Sequence, residues 1–365
     1  MLDILIDYQI FSLQEFGGIS RYFSEIAWRI DQLESCRVTL FCPLYRNNYL
    51  KNNFSRYNAR GFYIKDLPRT GSIIRMLNKV INHFYGAVKK FDIIHKTFFW
   101  DKNPKGRGTI VTVYDMINEL YPEFFPENDP LPALKAGSVR NADAIICISH
   151  NTKRDLLNIV DIDPEKVYVT QLGFSTLPEP DSRQNKSLFS NSYLLFVGKR
   201  SGHKNFSQMI KGFSSSERLC KDFQIVCFGD VVFSAEEKAL LHSCGIKPNK
   251  IHHISGDDKL LSLAYRGAAA FVYPSIYEGF GIPPLEAMSC DCPVICSHAG
   301  SLPEVVGESA ELFDPNDVDS IRCALENVLY SPDRSSELIK KGTRRYKQFT
   351  WERCARETSR VYSSI

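Results

Sequence analysis

The chain has 365 residues, 44% of them hydrophobic and 24% charged, with 45 lysines and arginines against 42 aspartates and glutamates. That length exceeds one ordinary core of roughly 100–200 residues, so two comparable domains are expected, and a net charge of +3 excludes nucleic-acid binding by bulk electrostatics. The 11 cysteines, odd in number and scattered, read as reduced, mostly buried thiols; no apolar run reaches the roughly 18–20 residues that span a bilayer, and acids Asp3 and Asp7 stand where a signal peptide is basic, which reads as a cytoplasmic chain.

Residues 2–8 read as a first strand, followed by a loop with Gly17 and Gly18 and a helix over about 19–33. The two glycines permit close backbone approach to a phosphate or an acceptor. They do not complete a dinucleotide fingerprint, because no third glycine falls in register, and the chain has no Walker A sequence. Further strands are expected at 38–42, 93–95, 109–113 and 144–148, separated by loops and amphipathic stretches of α/β character.

Residues 46–105 mix basic side chains, among them Arg46, Lys65, Arg69, Arg75, Lys79, Lys89, Lys102 and Lys105, with aromatics such as Phe62, Phe84, Tyr85 and Phe91. The mixture suits a basic solvent face over core aromatics first, contact with an anionic membrane surface second, and a local nucleic-acid patch last. Tyr114 and Asp115 directly follow the 109–113 strand; the Asp115 carboxylate suits positioning of an acceptor hydroxyl or donor sugar, or capping of a turn. Ser149, after the 144–148 strand, either lines the same opening or caps a helix. Asp161-Ile-Asp163 reads as a cap followed by a first-turn proline in preference to a metal site. The first domain is placed at 1–174, and the polar, proline-containing residues 175–191 read as a linker.

A second series of strands is expected at 193–197, 224–228, 251–254, 269–273, 294–296 and 310–313, within a domain spanning 192–345. Two such series predict two Rossmann-like domains facing across a deep cleft at the carboxyl ends of their sheets. Residues 346–365 contain a helix over 351–362 expected to pack back on the first domain. The loop Gly198-Lys-Arg-Ser-Gly-His-Lys-Asn205 follows an apolar strand. Arg200 offers a fork and Lys204 a mobile point charge for a diphosphate, with Lys199 a further cation and His203 shaping the loop.

The segment 271–286 combines an aromatic-rich strand, Glu278, a turn allowed by Gly279 and Gly281, and a helix start at Pro283 or Pro284. Amides of Gly279, Phe280, Gly281 and Ile282, aided by the helix dipole, favour phosphate, while Glu278 and Glu286 can accept from sugar hydroxyls. Cys290, Cys292, Cys296 and His298 look like a metal-ligand list, but alternation along a strand reads them as buried thiols.

Taken together, residues 196–205, the paired-glutamate segment 278–286 and Ser297-His-Ala-Gly-Ser-Leu-Pro-Glu-Val305 resemble the retaining GT-B glycosyltransferases of the family 4 type, the class that includes glycogen synthases, sucrose synthases and bacterial mannosyltransferases of O-antigen or polysaccharide assembly. The resemblance covers nearly the whole chain. It implies a hexosyltransferase of the EC 2.4.1 type acting in lipopolysaccharide or O-antigen biosynthesis, with a nucleotide-sugar donor, a glycan or polyprenyl-linked saccharide acceptor, and no metal or cofactor. It also implies that Arg200 and Lys204 neutralise the donor diphosphate, that Glu278 contacts the transferred sugar, and that Glu286 binds the ribose. Gly17, Gly18 and Asp115 then fall near donor and acceptor, with Gly198 and Lys199 beside the donor and Tyr114 and Ser149 beside the sugar or acceptor.

Two departures stand out. Tyr114 replaces the histidine of a common His-Asp pair, and where many members of the family place an arginine directly after the glycine this chain has Lys199, with Arg200 one step later. The resulting Gly-x-Arg arrangement resembles the mannosyl and O-antigen branch and implies GDP-mannose. A nonenzymatic nucleotide-sugar or glycan-binding module and a nucleotide-sugar epimerase are the alternative readings.

Overall fold

The computed structural model describes residues 1–65, 70–100, 106–179, 188–229 and 231–365. Of the basic stretch, Arg69, Lys102 and Lys105 lie outside the described residues, as does 180–187 of the expected linker. The chain divides into two compact units, Met1–Gly173 with Thr350–Ile365, and Phe174–Phe349.

The first unit is built on a parallel sheet of β1 (Leu2–Ile6), β2 (Cys36–Tyr45), β3 (Ala59–Tyr63), β4 (Ile93–Lys96), β5 (Gly108–Val113), β6 (Ala144–Cys147) and β7 (Val167–Val169), in the order β3-β2-β1-β4-β5-β6-β7. Its central strands are covered on both faces, so they read as continuous runs of Ile, Leu and Val, and Ile4, Leu5 and Ile6 are wholly buried. The edge strands β3 and β7 escape the sequence reading for the converse reason. Ala59-Arg-Gly-Phe-Tyr63 has no buried residue and Val167–Val169 is three residues long, so neither carries an apolar run. A register shift between Phe41 and Leu44 brings Pro43 into β2 where a ladder bond is already interrupted.

The second unit repeats the plan with β8 (Tyr193–Val197), β9 (Gln224–Phe228), β10 (Ile251–Ile254), β11 (Ala270–Tyr273), β12 (Val294–Ser297) and β13 (Ala310–Phe313), ordered β10-β9-β8-β11-β12-β13. The helix Phe206–Ser214 places Phe206, Met209, Ile210 and Phe213 on one face, and these join Ile225, Cys227 and Leu325 in a buried cluster. In each sheet the winding direction reverses beside the first strand, between β1 and β4 and between β8 and β11. Ligands of open α/β sheets bind outside the strand ends at such reversals.

The C-terminal helix Trp351–Ser363 packs on the helix Gly18–Asp31 of the first unit, and its N-cap Thr350 accepts the Arg353 amide at 3.1 Å. Its far end is pinned by a buried histidine: His95 Nδ1 lies 2.7 Å from the Tyr362 hydroxyl and Nε2 lies 2.8 Å from Thr112 Oγ1. Burial lowers the pKa of His95 to about 3. Unfolded, the imidazole takes its proton near pH 6.5; folded, it stays neutral until about 3, so the stability it confers is complete above roughly pH 6.5 and drains as pH falls toward 3. Urea unfolding of the intact chain is expected to lose on the order of 1 kcal/mol per pH unit below 6.5 from this group. His95→Gln is expected to flatten that slope, and an unchanged slope in the variant overturns the assignment.

Candidate active site

A connected set of polar side chains of the second unit lies near the reversal between β8 and β11. Beyond β8 the chain turns at Gly198, φ +118, then forms a short helical turn, Gly202–Lys204, ended by Asn205 in the left-handed region at φ 55. Asn205 tolerates that conformation because its side chain donates to Pro315 O at 2.7 Å. The loop is stitched to the one after β11 by the Ile276 amide, which donates to His203 O at 2.9 Å. His203 thus ties the loop through its backbone.

These constraints carry Lys204 across the reversal. Its Nζ lies 2.6 Å from Glu278 Oε1 and donates to the Tyr273 hydroxyl at 3.0 Å, while that hydroxyl donates to the same Glu278 oxygen at 2.8 Å. Lys204 and Glu278 are both mostly covered, with side chains 20% and 14% exposed. Burial, reinforced by the Glu278 charge, holds the Tyr273 hydroxyl well above its ordinary pKa, so it remains a proton donor. An ammonium has three N–H groups; Glu278 and Tyr273 engage two of them here.

Glu278 sits in a loop held from below. Ser301 Oγ lies 2.9 Å from Glu278 O and 2.8 Å from Phe280 O, and the Ser301 amide donates to Glu278 O at 3.3 Å. Gly300, at φ +60, passes so close that a Cβ there would stand 2.9 Å from the Glu278 amide nitrogen. Ser297 adds a hydroxyl bond to Ser275 O. The sequence reading used 297–305 for its likeness and missed this supporting role, which only the contact between two distant loops reveals.

Gly281, φ +101, precedes the helix Ile282–Ser289, and a side chain there would strike Leu302 Cδ2 at 2.6 Å. Pro283 and Pro284 bring no N–H to the first turn, so the amides at Gly281 and Ile282 open the helix ahead of any intrahelical partner. Phe280 turns its ring inward, edge-on to Phe349 at 5.6 Å, and offers the site only backbone. Glu286, on the helix, accepts from the Tyr265 hydroxyl at 3.3 Å; burial, then Glu286, raises the Tyr265 pKa well above its ordinary value.

Arg200 is placed differently from the expectation. Its Nε donates to Glu237 Oε1 at 2.8 Å, and its Nη2 donates to Glu237 Oε2 at 3.2 Å and to Val231 O at 2.6 Å, leaving the side chain 3% exposed. The guanidinium also lies over the Phe233 ring, 4.6 Å from its centroid. Its fork is therefore closed on a carboxylate and is not presented to a diphosphate. Glu237 is fixed in turn by the capping box with Ser234 that starts the helix Ala235–Ser243. Lys199, one position earlier, is exposed, and it lines with Gly198, Gly229 and Ser234 a pocket of about 590 Å³ against the Arg200–Glu237 pair.

In the first unit, Asp7 was missed by the sequence reading. It is wholly buried at the end of β1, where Oδ1 accepts from Thr97 Oγ1 at 2.5 Å and from the Thr97 amide at 3.0 Å, while Oδ2 accepts from Gln9 Nε2 at 2.7 Å. It pins the ends of β1 and β4 together at that unit's reversal. Gly17 is the N-cap of the helix Gly18–Asp31, and Gly18 is exposed with open space where a Cβ would stand.

Asp115 accepts the Ile117 amide at 3.2 Å and lies 3.9 Å from Lys135 Nζ, with its side chain 38% exposed; it caps a turn and still reaches solvent. Tyr114 is buried edge-on to Tyr22 at 6.0 Å, and its hydroxyl has no hydrogen-bond partner among the described residues. Ser149 is buried as the N-cap of the helix His150–Ile159, accepting the Thr152 amide at 3.0 Å, so its hydroxyl is turned into the fold and does not line an opening. Asp163 accepts the Glu165 amide at 3.0 Å as a cap. Cys290, Cys292 and Cys296 are buried thiols whose pKa values burial pushes up, and His298 Nδ1 lies 3.0 Å from Phe313 O.

Residues 16–176 match the family model described as Glycosyltransferase Family 4, and residues 179–345 match that described as Glycosyl transferases group 1. Among curated relatives, the O-antigen chain mannosyltransferase B of Escherichia coli is 28% identical over 273 residues, covering 70% of each chain. The O-antigen chain mannosyltransferase RfbU of Salmonella typhimurium is 31% identical over 237 residues, covering 64% of each. Among solved structures, sucrose-phosphate synthase from Thermosynechococcus elongatus superposes with a TM-score of 0.77 at 18% identity, covering 100% of this chain and 99% of that one. Anabaena HepE in complex with UDP and glucose superposes at 0.75 with 15% identity, covering 100% of both.

The Ser301 contacts make a definite prediction. Ser301→Ala is expected to destabilise the second unit by about 1–3 kcal/mol, the cost of leaving buried carbonyls short of a donor, as read by urea unfolding. Gly300→Ala is expected to cost more because it adds both a left-handed non-glycine residue and a clash with Glu278. Wild-type stability in both variants would show that the Glu278 loop holds its shape without this support.

Proposed function

Because the chain belongs to the GT-B glycosyltransferases of the family 4 type, we propose that it is a retaining hexosyltransferase that moves mannose from GDP-mannose onto a glycan or polyprenyl-linked saccharide in bacterial surface-polysaccharide assembly. The observation that carries the reading is the Lys204–Tyr273–Glu278 cluster at the sheet reversal, beside a helix that opens on Gly281. The choice of mannose draws further support from the two O-antigen mannosyltransferases that share about this degree of identity.

In this proposal the donor diphosphate lies against the amides at Gly279, Phe280, Gly281 and Ile282, where the helix dipole favours negative charge. The remaining N–H of Lys204 reaches a phosphate oxygen, and Lys199 adds a second, solvent-side cation beside Gly198. As the sugar–phosphate bond breaks, charge builds on the leaving oxygen, and these fixed donors stabilise that charge more than they stabilise the ground state. The acceptor hydroxyl attacks from the face the diphosphate leaves, which retains the anomeric configuration. Glu278 receives hydrogen bonds from the transferred sugar, and Glu286 receives them from the ribose hydroxyls.

Arg200 serves this site at one remove, holding the Lys199 loop through Glu237. In the first unit, Asp115 and the Gly17–Gly18 turn handle acceptor or donor sugar, while Tyr114 and Ser149 shape that region from within. No metal or cofactor is assigned a step. The enzyme acts in the cytoplasm, in peripheral contact with an anionic membrane that carries the acceptor.

Three measurements test this. Lys204→Ala is expected to lower kcat by about 10²-fold, the scale of losing one preorganised donor to a developing anion, whereas Arg200→Ala is expected mainly to reduce stability and donor affinity. Equal losses of kcat in the two would return Arg200 to the diphosphate. Glu286→Gln is expected to weaken GDP-mannose binding in titration while turnover at saturation persists; unchanged affinity with a collapsed rate would refute the ribose role. In a panel of GDP-mannose, GDP-fucose, UDP-glucose and UDP-N-acetylglucosamine, binding and slow hydrolysis are expected to favour GDP-mannose, and preference for a UDP-sugar would overturn the donor.

A further inference from the structure

The helix Gly71–Val88 packs on its own sheet through buried asparagines together with Ile74 and Tyr85, and turns six apolar side chains to solvent. Asn78 is wholly buried, accepting the Leu44 amide at 2.8 Å and donating to Leu44 O at 2.8 Å. Asn82 and Ile74 are buried beside it, and Tyr85 stacks on Phe41 with centroids 3.7 Å apart. On the opposite side Ile73, Met76, Leu77, Val80, Ile81 and Phe84 each expose between 41% and 66% of their surface. At about 100° per residue these six fill an arc of roughly 140°, with Arg75, Lys79 and His83 along one flank. A soluble helix arranges the reverse, and a contiguous exposed apolar strip of this kind marks an interaction surface.

We propose that this helix lies in the headgroup–acyl boundary of an anionic bilayer with its apolar arc buried in lipid. The membrane contact stands on the helix itself; that it brings an enzyme to its lipid-linked acceptor rests on the transferase reading. Charge selects lipid over a second copy of the chain. Residues 70–91, the helix and its two ends, carry Arg75, Lys79, Lys89 and Lys90 and no acid, so two copies meeting on this helix would set like charges together. An anionic surface complements them.

The structure also narrows the basic–aromatic mixture read from sequence. Tyr85 and Phe91 turn inward around Phe41, Arg56 covers Trp28 and Lys51 covers Tyr63 by cation–π contact, and Lys96 is buried. The inserting groups are instead the aliphatic side chains and Phe84 of this helix, at a spacing of three and four. Among the described residues no helix is long and apolar enough to cross a membrane, which leaves this one an in-plane geometry.

The full chain is sedimented with vesicles of phosphatidylethanolamine and phosphatidylglycerol, and with phosphatidylcholine alone. Wild type is expected to bind the anionic vesicles. The triple variant Ile73→Gln, Val80→Gln, Phe84→Gln is expected to bind on the order of tenfold less at low and high salt alike, while keeping its circular dichroism and its transfer to a water-soluble saccharide. Lys79→Gln with Lys90→Gln is expected to lose binding chiefly at low salt, where charge is least screened. Wild type that ignores anionic vesicles, a triple variant that binds as well as wild type, or a lipid-free dimer abolished by the triple variant would each overturn the proposal. Failure of wild type to transfer sugar to any soluble acceptor counts against the transferase reading and leaves the sedimentation result standing.

Discussion

A lysine ammonium held between a tyrosine hydroxyl and a glutamate, across the reversal of a parallel sheet, is the interaction on which the second unit is organised. A mostly covered ammonium loses hydration that only a nearby carboxylate and further hydrogen bonds can replace. Glu278 and Tyr273 supply both to Lys204, and the short N–O and O–O distances leave little freedom for either loop. Whatever fixes Glu278 therefore fixes the cation. The left-handed Gly300 and the doubly engaged Ser301 beneath the loop are as much part of the charge site as Lys204 itself.

Arg200 illustrates the complementary rule. Its planar fork pairs with a carboxylate at two points, and Glu237 is already immobilised by the capping box of its own helix. The guanidinium fork is thereby engaged within the fold, and Lys199 is the exposed cation of that loop. The first unit ties its reversal with a different group: buried Asp7 gathers Thr97 and Gln9 to join the ends of β1 and β4. The two similarly wound sheets thus carry a buried carboxylate at one reversal and a lysine–glutamate pair near the other.

The helix Gly71–Val88 depends on a comparable inversion. Two buried asparagines join Ile74 and Tyr85 in docking the helix, and the Asn78 side-chain amide satisfies both backbone groups of Leu44 beside the register shift in β2. Polar docking on one side releases the apolar side for another surface. The hydrophobic pattern by itself points to the same helix whichever side faces the sheet; the asparagines decide it.

Much of this protein was legible in its residues. Apolar runs of four to six residues located the buried strands because central parallel strands are covered on both faces, and Gly281 before Pro283 and Pro284 announced a helix start through conformational limits that act within a few residues. Family likeness carried the class of chemistry and the pairing of 198–205 with 278–286. The edge strands β3 and β7, the burial of Ser149 as a cap, and the inward ring of Phe280 lay beyond it, since half-exposed strands and capping serines have sequence patterns shared with loops and ligand contacts. Tertiary structure decided which carboxylate each cation meets, because the Arg200–Glu237 pair joins residues 37 apart and the Lys204–Glu278 pair residues 74 apart. Local sequence sets a side chain's chemistry and the turn that carries it; its partner is chosen by the fold that brings distant loops within hydrogen-bond reach.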